Sequence, residues 1–164
     1  MSIFTNKIVV ITGGSEGIGK ALVDAFLQEG AKVATCSRKH DKLYSLQSVH
    51  PGKPLMIYTA DVSKEQDCRN FIDAVIQSFG TIDILINNAG ISMRSLVNEV
   101  ELDTIRKVMD INFWGTVYCT KFSLPYITKN NGTIAGISSI AGYRGLPGRS
   151  GYSASKFAIN GWLE

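Results

Sequence analysis

Tyr152 and Lys156 stand four positions apart in the run Gly151-Tyr-Ser-Ala-Ser-Lys-Phe157. On a helix that spacing puts both side chains on one face, so a phenol can sit beside an ammonium. A free tyrosine titrates near about 10, and a neighbouring positive charge favours its phenolate, which moves the group toward working pH and readies it for general acid or base catalysis. Ser139, thirteen positions upstream, is placed to offer a second polar contact to a reacting oxygen. A Y-x-x-x-K spacing is common on helices that do no chemistry, so its weight depends on the elements that precede it.

Those elements begin with Lys7 to Thr12, a short apolar run rich in β-branched residues, as expected of a parallel strand buried on both faces. Thr12-Gly-Gly-Ser-Glu-Gly-Ile-Gly19 follows directly, and then Ile18, Ala21, Leu22, Ala25 and Phe26 recur at helical spacing until Gly30, a natural stop. Gly13, Gly17 and Gly19 permit a tight turn and a close approach of backbone to ligand. The start of the following helix offers free N–H groups and a positive dipole end to a pyrophosphate. Ser15 and Ile18 belong to the same candidate loop. Further strands are expected over Lys32 to Cys36, Leu55 to Ala60, Ile82 to Asn87 and Thr133 to Ser138, with a short helix over His40 to Ser48 and a last helix from near Ser150. Ser63-Lys-Glu-Gln66 reads as a capping box, ahead of an apolar face formed by Cys68, Phe71, Ile72, Val75, Ile76 and Phe79. Strands alternating with helices through short loops imply a doubly wound parallel α/β sheet in one domain spanning residues 1–164. Residues 112–127 are apolar almost all round, which predicts a helix buried on both sides and homo-oligomerisation through residues 112–127 and 150–164.

Composition narrows the classes. The 164 residues are 45% hydrophobic and 19% charged with a net charge of +3, ordinary for a globular chain with a real core. Lys and Arg are scattered, so no basic stripe points to nucleic acid, and no apolar run reaches membrane-spanning length. Cys36, Cys68 and Cys119 are odd in number and in no metal-like spacing, which favours free thiols in a reducing compartment and a cytoplasmic location.

The ordered set Thr12-Gly13-x-x-x-Gly17-x-Gly19, Asp61-Val62, Asn87-Asn88-Ala89-Gly90, Asn112, Ser139 and Tyr152-x-x-x-Lys156 resembles the short-chain dehydrogenase/reductase family along the whole chain. The resemblance implies a Rossmann-like sheet of order 3-2-1-4-5. It makes Tyr152 the proton donor to a carbonyl oxygen, with Ser139 holding that oxygen. It gives Lys156 the lowering of the tyrosine pKa and a bond to the nicotinamide ribose, and Asn112 support of a water-linked proton path. Asn88, Ala89 and Gly90 would line the cofactor, and Asp61 and Val62 would meet the adenine. Ser37-Arg38-Lys39 ends the second expected strand without an acid before Asp41, so Arg38 favours the 2′-phosphate of NADP over NAD, with acidic Glu16 expected to point to solvent. The expected activity is hydride transfer between the nicotinamide and a ketone or secondary alcohol. The alternative is a nucleotide-binding module without turnover. Loops 91–98 and 140–151 carry Met93, Leu96, Tyr143 and Leu146, suited to an apolar substrate, and also Arg94, Arg144 and Arg149, suited to an anionic one. Family members usually continue past the equivalent of Glu164 with further strands, so the resemblance also implies a chain truncated at its C-terminus.

Overall fold

A computed structural model describes residues 2–164. Five parallel strands, β1 (Ile8–Thr12), β2 (Lys32–Ser37), β3 (Leu55–Thr59), β4 (Ile84–Asn87) and β5 (Thr133–Gly136), form a sheet of order β3-β2-β1-β4-β5. The order reverses at β1, so the connections leaving β1 and β4 diverge and open a crevice at the carboxyl ends of the strands. Six helices complete the fold: α1 (Gly17–Gln28), α2 (His40–Ser48), α3 (Glu65–Phe79), α4 (Leu102–Met109), α5 (Gly115–Lys129) and α6 (Ser150–Leu163).

Side chains of β1 alternate between two separate cores, which is why the whole strand had to be apolar. Val9 and Ile11 pack with Val23 and Leu27 of α1, Leu46 of α2, Val33 and Ile86. Ile8 and Val10 face the opposite layer, with Phe71, Ile72 and Val75 of α3 and Cys119 and Ile127 of α5. All three cysteines lie free and fully buried in this second core. Burial pushes the Cys36 thiol up to about 12, while hydrogen bonding with Cys68 and burial raise Cys119. The guanidinium of Arg69 covers the Phe122 ring at 4.2 Å and closes the solvent side of the α3–α5 contact.

Three local expectations are corrected. In α1 the fully buried positions are Gly19, Val23 and Leu27, and Leu22 and Phe26 of the expected stripe pack against the same core, whereas Ile18 in the first turn is turned out beside the crevice and is 62% exposed. The Ser63 capping box does not form. Ser63 instead donates both its backbone N–H and its hydroxyl to Asp61 Oδ1, at 3.1 and 2.7 Å, and α3 starts after Lys64 with no side-chain cap. Residues 112–127 are not one helix buried on both sides. Asp110–Trp114 is a π turn, α5 begins only at Gly115, and Trp114 and Leu124 are exposed on the outer face while α3 covers the inner one.

Candidate active site

The crevice is a cleft of about 450 Å³ running across the carboxyl ends of the strands. At one end stand Ser37, the last residue of β2, and Arg38 just past it; the glycine turn lies in the middle; Tyr152 and Lys156 of α6 stand at the other end. Of the candidates, Gly13, Ser15, Ile18, Gly19, Arg38, Asp61, Val62, Asn88, Ala89, Gly90, Tyr152 and Lys156 line it. Gly17, Asn112 and Ser139 do not. The lining also includes Cys36, Ala60, Ile111, Ile137 and Ser138, which no motif singled out. Four of these five lie at or just beyond the carboxyl end of a strand, so the switch-point rule applied to each strand end would have found them.

The glycine turn is held from below by threonines. Thr12 Oγ1 accepts the backbone N–H groups of both Asn88 and Ala89, each at 3.0 Å, and Asn88 Nδ2 returns hydrogen bonds to the carbonyls of Thr12 and Gly13 at 2.9 and 3.2 Å. Thr35 Oγ1 accepts from Gly14 N and donates to Ile11 O. These bonds lock the end of β4 to the turn, so neither segment can move alone. A Cβ on Gly13 would lie 2.9 Å from Ala89 Cα, and one on Gly19 would collide with the Gly13 carbonyl, so both glycines are required by packing within the turn. Gly17 differs: its φ of +56° demands glycine, yet a Cβ there would face open space. No side chain caps α1, whose first N–H groups are therefore left for a ligand. An open, uncapped helix start reached through glycine fits the pyrophosphate of a dinucleotide.

At the Arg38 end, Glu16 flanks the cleft but its charge is met. It pairs with Lys42 and, at 3.9 Å, with Lys39, and the Lys42 hydrogen bond holds its carboxyl below the usual range. Arg38 itself makes no ion pair among the described residues. Along the adjoining wall, Asp61 N donates to Asp67 Oδ2 at 2.9 Å and Cys68 Sγ donates to Val62 O at 3.3 Å, so the first turn of α3 fixes the Asp61-Val62 loop.

At the other end, Lys156 is buried, and its Nζ donates to the Ile137 carbonyl at 2.6 Å while lying 5.8 Å from the centre of the Tyr152 ring. Burial lowers its pKa. The ammonium therefore stands beside the phenol ring, at the outer limit of cation–π range. Asn112 is wholly buried behind Gly90. Its Oδ1 accepts from Ile91 N at 2.8 Å, and its Nδ2 donates to Ile91 O and to Ser155 Oγ, both at 2.9 Å. Ser155 Oγ in turn donates to Tyr152 O at 2.7 Å, so Asn112 ties the loop after β4 to the helix that carries the tyrosine. The π turn supplies the extra residue that aims this side chain inward; Thr116 Oγ1 donates to the Asn112 carbonyl at 2.8 Å. Ser139 Oγ accepts from Ala141 N at 3.2 Å and caps the short 3-10 turn Ile140–Gly142. Ser138 lines the cleft, but its hydroxyl is buried against Gly142 without a partner.

A doubly wound sheet with a glycine-bounded cleft at its switch point defines a Rossmann-like nucleotide-binding domain. A family model described as short chain dehydrogenase matches residues 7–164, and the chain belongs to that family of NAD(P)-dependent oxidoreductases. The 11-beta-hydroxysteroid dehydrogenase A of Sesamum indicum is 41% identical over 162 residues, covering 96% of this chain and 47% of that protein. The 11-beta-hydroxysteroid dehydrogenase-like 2 of Arabidopsis thaliana is 38% identical over 164 residues, covering 98% and 53%. A short chain dehydrogenase/reductase from Burkholderia phymatum, in complex with NAD, superposes with a TM-score of 0.92 at 26% identity, covering 99% of this chain and 59% of that one. The chain spans about half the length of the plant relatives it matches.

Proposed function

We propose that the chain carries the cofactor half and the proton-transfer groups of an NADP-dependent oxidoreductase acting on a ketone or secondary alcohol. The observation that carries this reading is one continuous cleft with an unpaired Arg38 at one end and Tyr152 beside Lys156 at the other. When bound there, the dinucleotide would supply or accept the hydride. Arg38 holds the 2′-phosphate, Gly13, Ser15, Gly17, Ile18 and Gly19 form the turn against the pyrophosphate, and Asp61 and Val62 border the adenine. Asn88, Ala89 and Gly90 form the wall between the two ends.

Reduction of a carbonyl places negative charge on its oxygen, so a proton donor aimed there acts mainly in the transition state. Tyr152 gives its phenolic proton to that oxygen. The fixed ammonium of Lys156 stabilises the resulting phenolate, and in the oxidative direction the same pair takes the proton back. Ser139 supports the oxygen, its Oγ keeping a donor proton because the Ala141 bond uses it only as acceptor. Asn112 holds the loop and helix in register and stands behind Gly90 on the proton path.

The names of the plant relatives, together with Leu96, Tyr143 and Leu146 on the bordering loops, support an apolar substrate, whereas Met93 is buried against Gly151. Exposed Trp114, Leu124, Phe157 and Trp162 support self-association through residues 112–127 and 150–164. No helix is long and apolar enough to cross a membrane among the described residues. Free buried thiols accord with a reducing, cytoplasmic setting.

The test is NADPH consumption over a panel of ketones and aldehydes, with Tyr152→Phe beside the wild-type chain and NADH as the alternative donor. Loss of the phenolic proton should lower kcat/KM by about 10²–10⁴-fold. Equal rates for the two chains would end the mechanism, and tight NADPH binding with no turnover on any substrate would favour a binding module.

A further inference from the structure

We propose that the catalytic end of the cleft selects an apolar ketone or alcohol that also bears a carboxylate, and that Arg149 is the residue that takes it. This rests on the oxidoreductase reading above and names its substrate class. Arg149 stands three positions before Tyr152, with its guanidinium carbon 6.0 Å from the centre of the Tyr152 ring. Its Nη1 donates to Ser92 Oγ at 2.6 Å, and Ser92 lines the cleft. A second bond, Ser95 N to Gly148 O at 2.8 Å, joins the same two loops. The guanidinium is therefore held at the mouth of the site by one anchored N–H, with its other donors free.

Apart from Arg38 at the far end of the cleft, the nearby cations already have partners. Lys39 and Lys42 pair with Glu16, Lys20 pairs with Asp24 at 2.8 Å, and Lys156 is spent on the Ile137 carbonyl. Arg149 is half-buried and makes no ion pair among the described residues. Neither loop 91–98 nor loop 140–151 contains an Asp or Glu, while Arg94 and Arg144 add exposed positive charge to them. A partly desolvated guanidinium gains most from a carboxylate, which it can grip through two parallel N–H bonds. The apolar body of such a substrate meets Leu96, Leu146 and Tyr143 on the same loops, while Met93 is packed beneath them against Gly151.

Oxo acids with the carboxylate one to four carbons from the carbonyl are compared with their neutral amides as substrates in NADPH consumption, using the wild-type chain, Arg149→Gln and Arg149→Lys. The wild-type chain should favour the best acid over its amide by about tenfold or more in kcat/KM, mainly through KM. Arg149→Gln should erase that ratio and Arg149→Lys should keep part of it, with the pH profile unmoved. Equal kcat/KM for acid and amide in the wild-type chain overturns the proposal without any variant. So does an Arg149→Gln effect of the same size on both substrates with a displaced pH profile, since Arg149 would then act on Tyr152 alone. If no ketone is turned over, the oxidoreductase reading fails. Calorimetric binding of the acids and amides to the chain then decides the proposal by itself: an acid preference lost in Arg149→Gln sustains it, and equal binding removes it.

Discussion

Arg38 and Lys156 sit at opposite ends of one cleft and face opposite physical problems. Arg38 is exposed and unpaired, so its value lies in what it can bind. Replacing it with Asp sets a carboxylate where the proposed 2′-phosphate lies and should weaken NADP binding by about 1.5–3 kcal/mol, the scale of a charged hydrogen bond, while NAD binding changes far less. Titration of both nucleotides by fluorescence checks this, and unchanged NADP affinity would return the choice of cofactor to an open question. Lys156 is buried, and burial holds its pKa below the ordinary lysine value. Between the lowered and the ordinary value the unfolded chain binds more protons than the folded one, so this residue's contribution to stability improves as pH rises through that window. Below the window the ammonium is charged in both states and the full cost of burying it is present. Urea unfolding from neutral pH to the lysine range should show the rise, and Lys156→Met should flatten it. The pairing of Tyr152 with Lys156 on one helix was legible from their spacing, but the lysine's bond to Ile137 O was not, because nothing in a linear motif says where a carbonyl just past a strand's end will point.

At the scale of elements, the π turn Asp110–Trp114 is the clearest case of structure hidden in sequence. Apolar residues occur almost all round from Asn112 onward, which reads as one continuous buried helix; the extra residue that turns Asn112 inward leaves no trace in that periodicity. The strands and α3 were legible because each commits its apolar residues to the period of its element. The capping box at Ser63 failed because Asp61 competes for the serine and wins both of its donors, a contest between neighbours that a spacing rule does not weigh. Asn112→Ala would strand Ile91 N and Ile91 O beside a small buried void and leave Ser155 Oγ with only its bond to Tyr152 O. It should cost about 1–3 kcal/mol or more of stability by denaturant unfolding, whatever its effect on turnover. A variant as stable as the wild type would show that solvent reaches those groups.

For the whole molecule, two surfaces stand out. The outer edge of β5 pairs with no strand among the described residues, and Trp114, Leu124, Phe157 and Trp162 are exposed on neighbouring helices. An unpaired edge beside exposed aromatics invites association. Sedimentation at micromolar concentration should show a species larger than the monomer, and Leu124→Glu should shift it toward the monomer; a monomeric wild-type chain would refute the oligomer. The three thiols beneath the sheet have a different consequence. Since none is reachable in the folded chain and burial keeps Cys36 protonated, alkylating reagents must wait for the α3–α5 layer to open. Cys36 also lies under the wall that the nucleotide would cover. The chain thus carries its own stopwatch: the rate of thiol modification times the opening of that layer, and its slowing by a nucleotide measures in seconds how firmly the cleft is held shut.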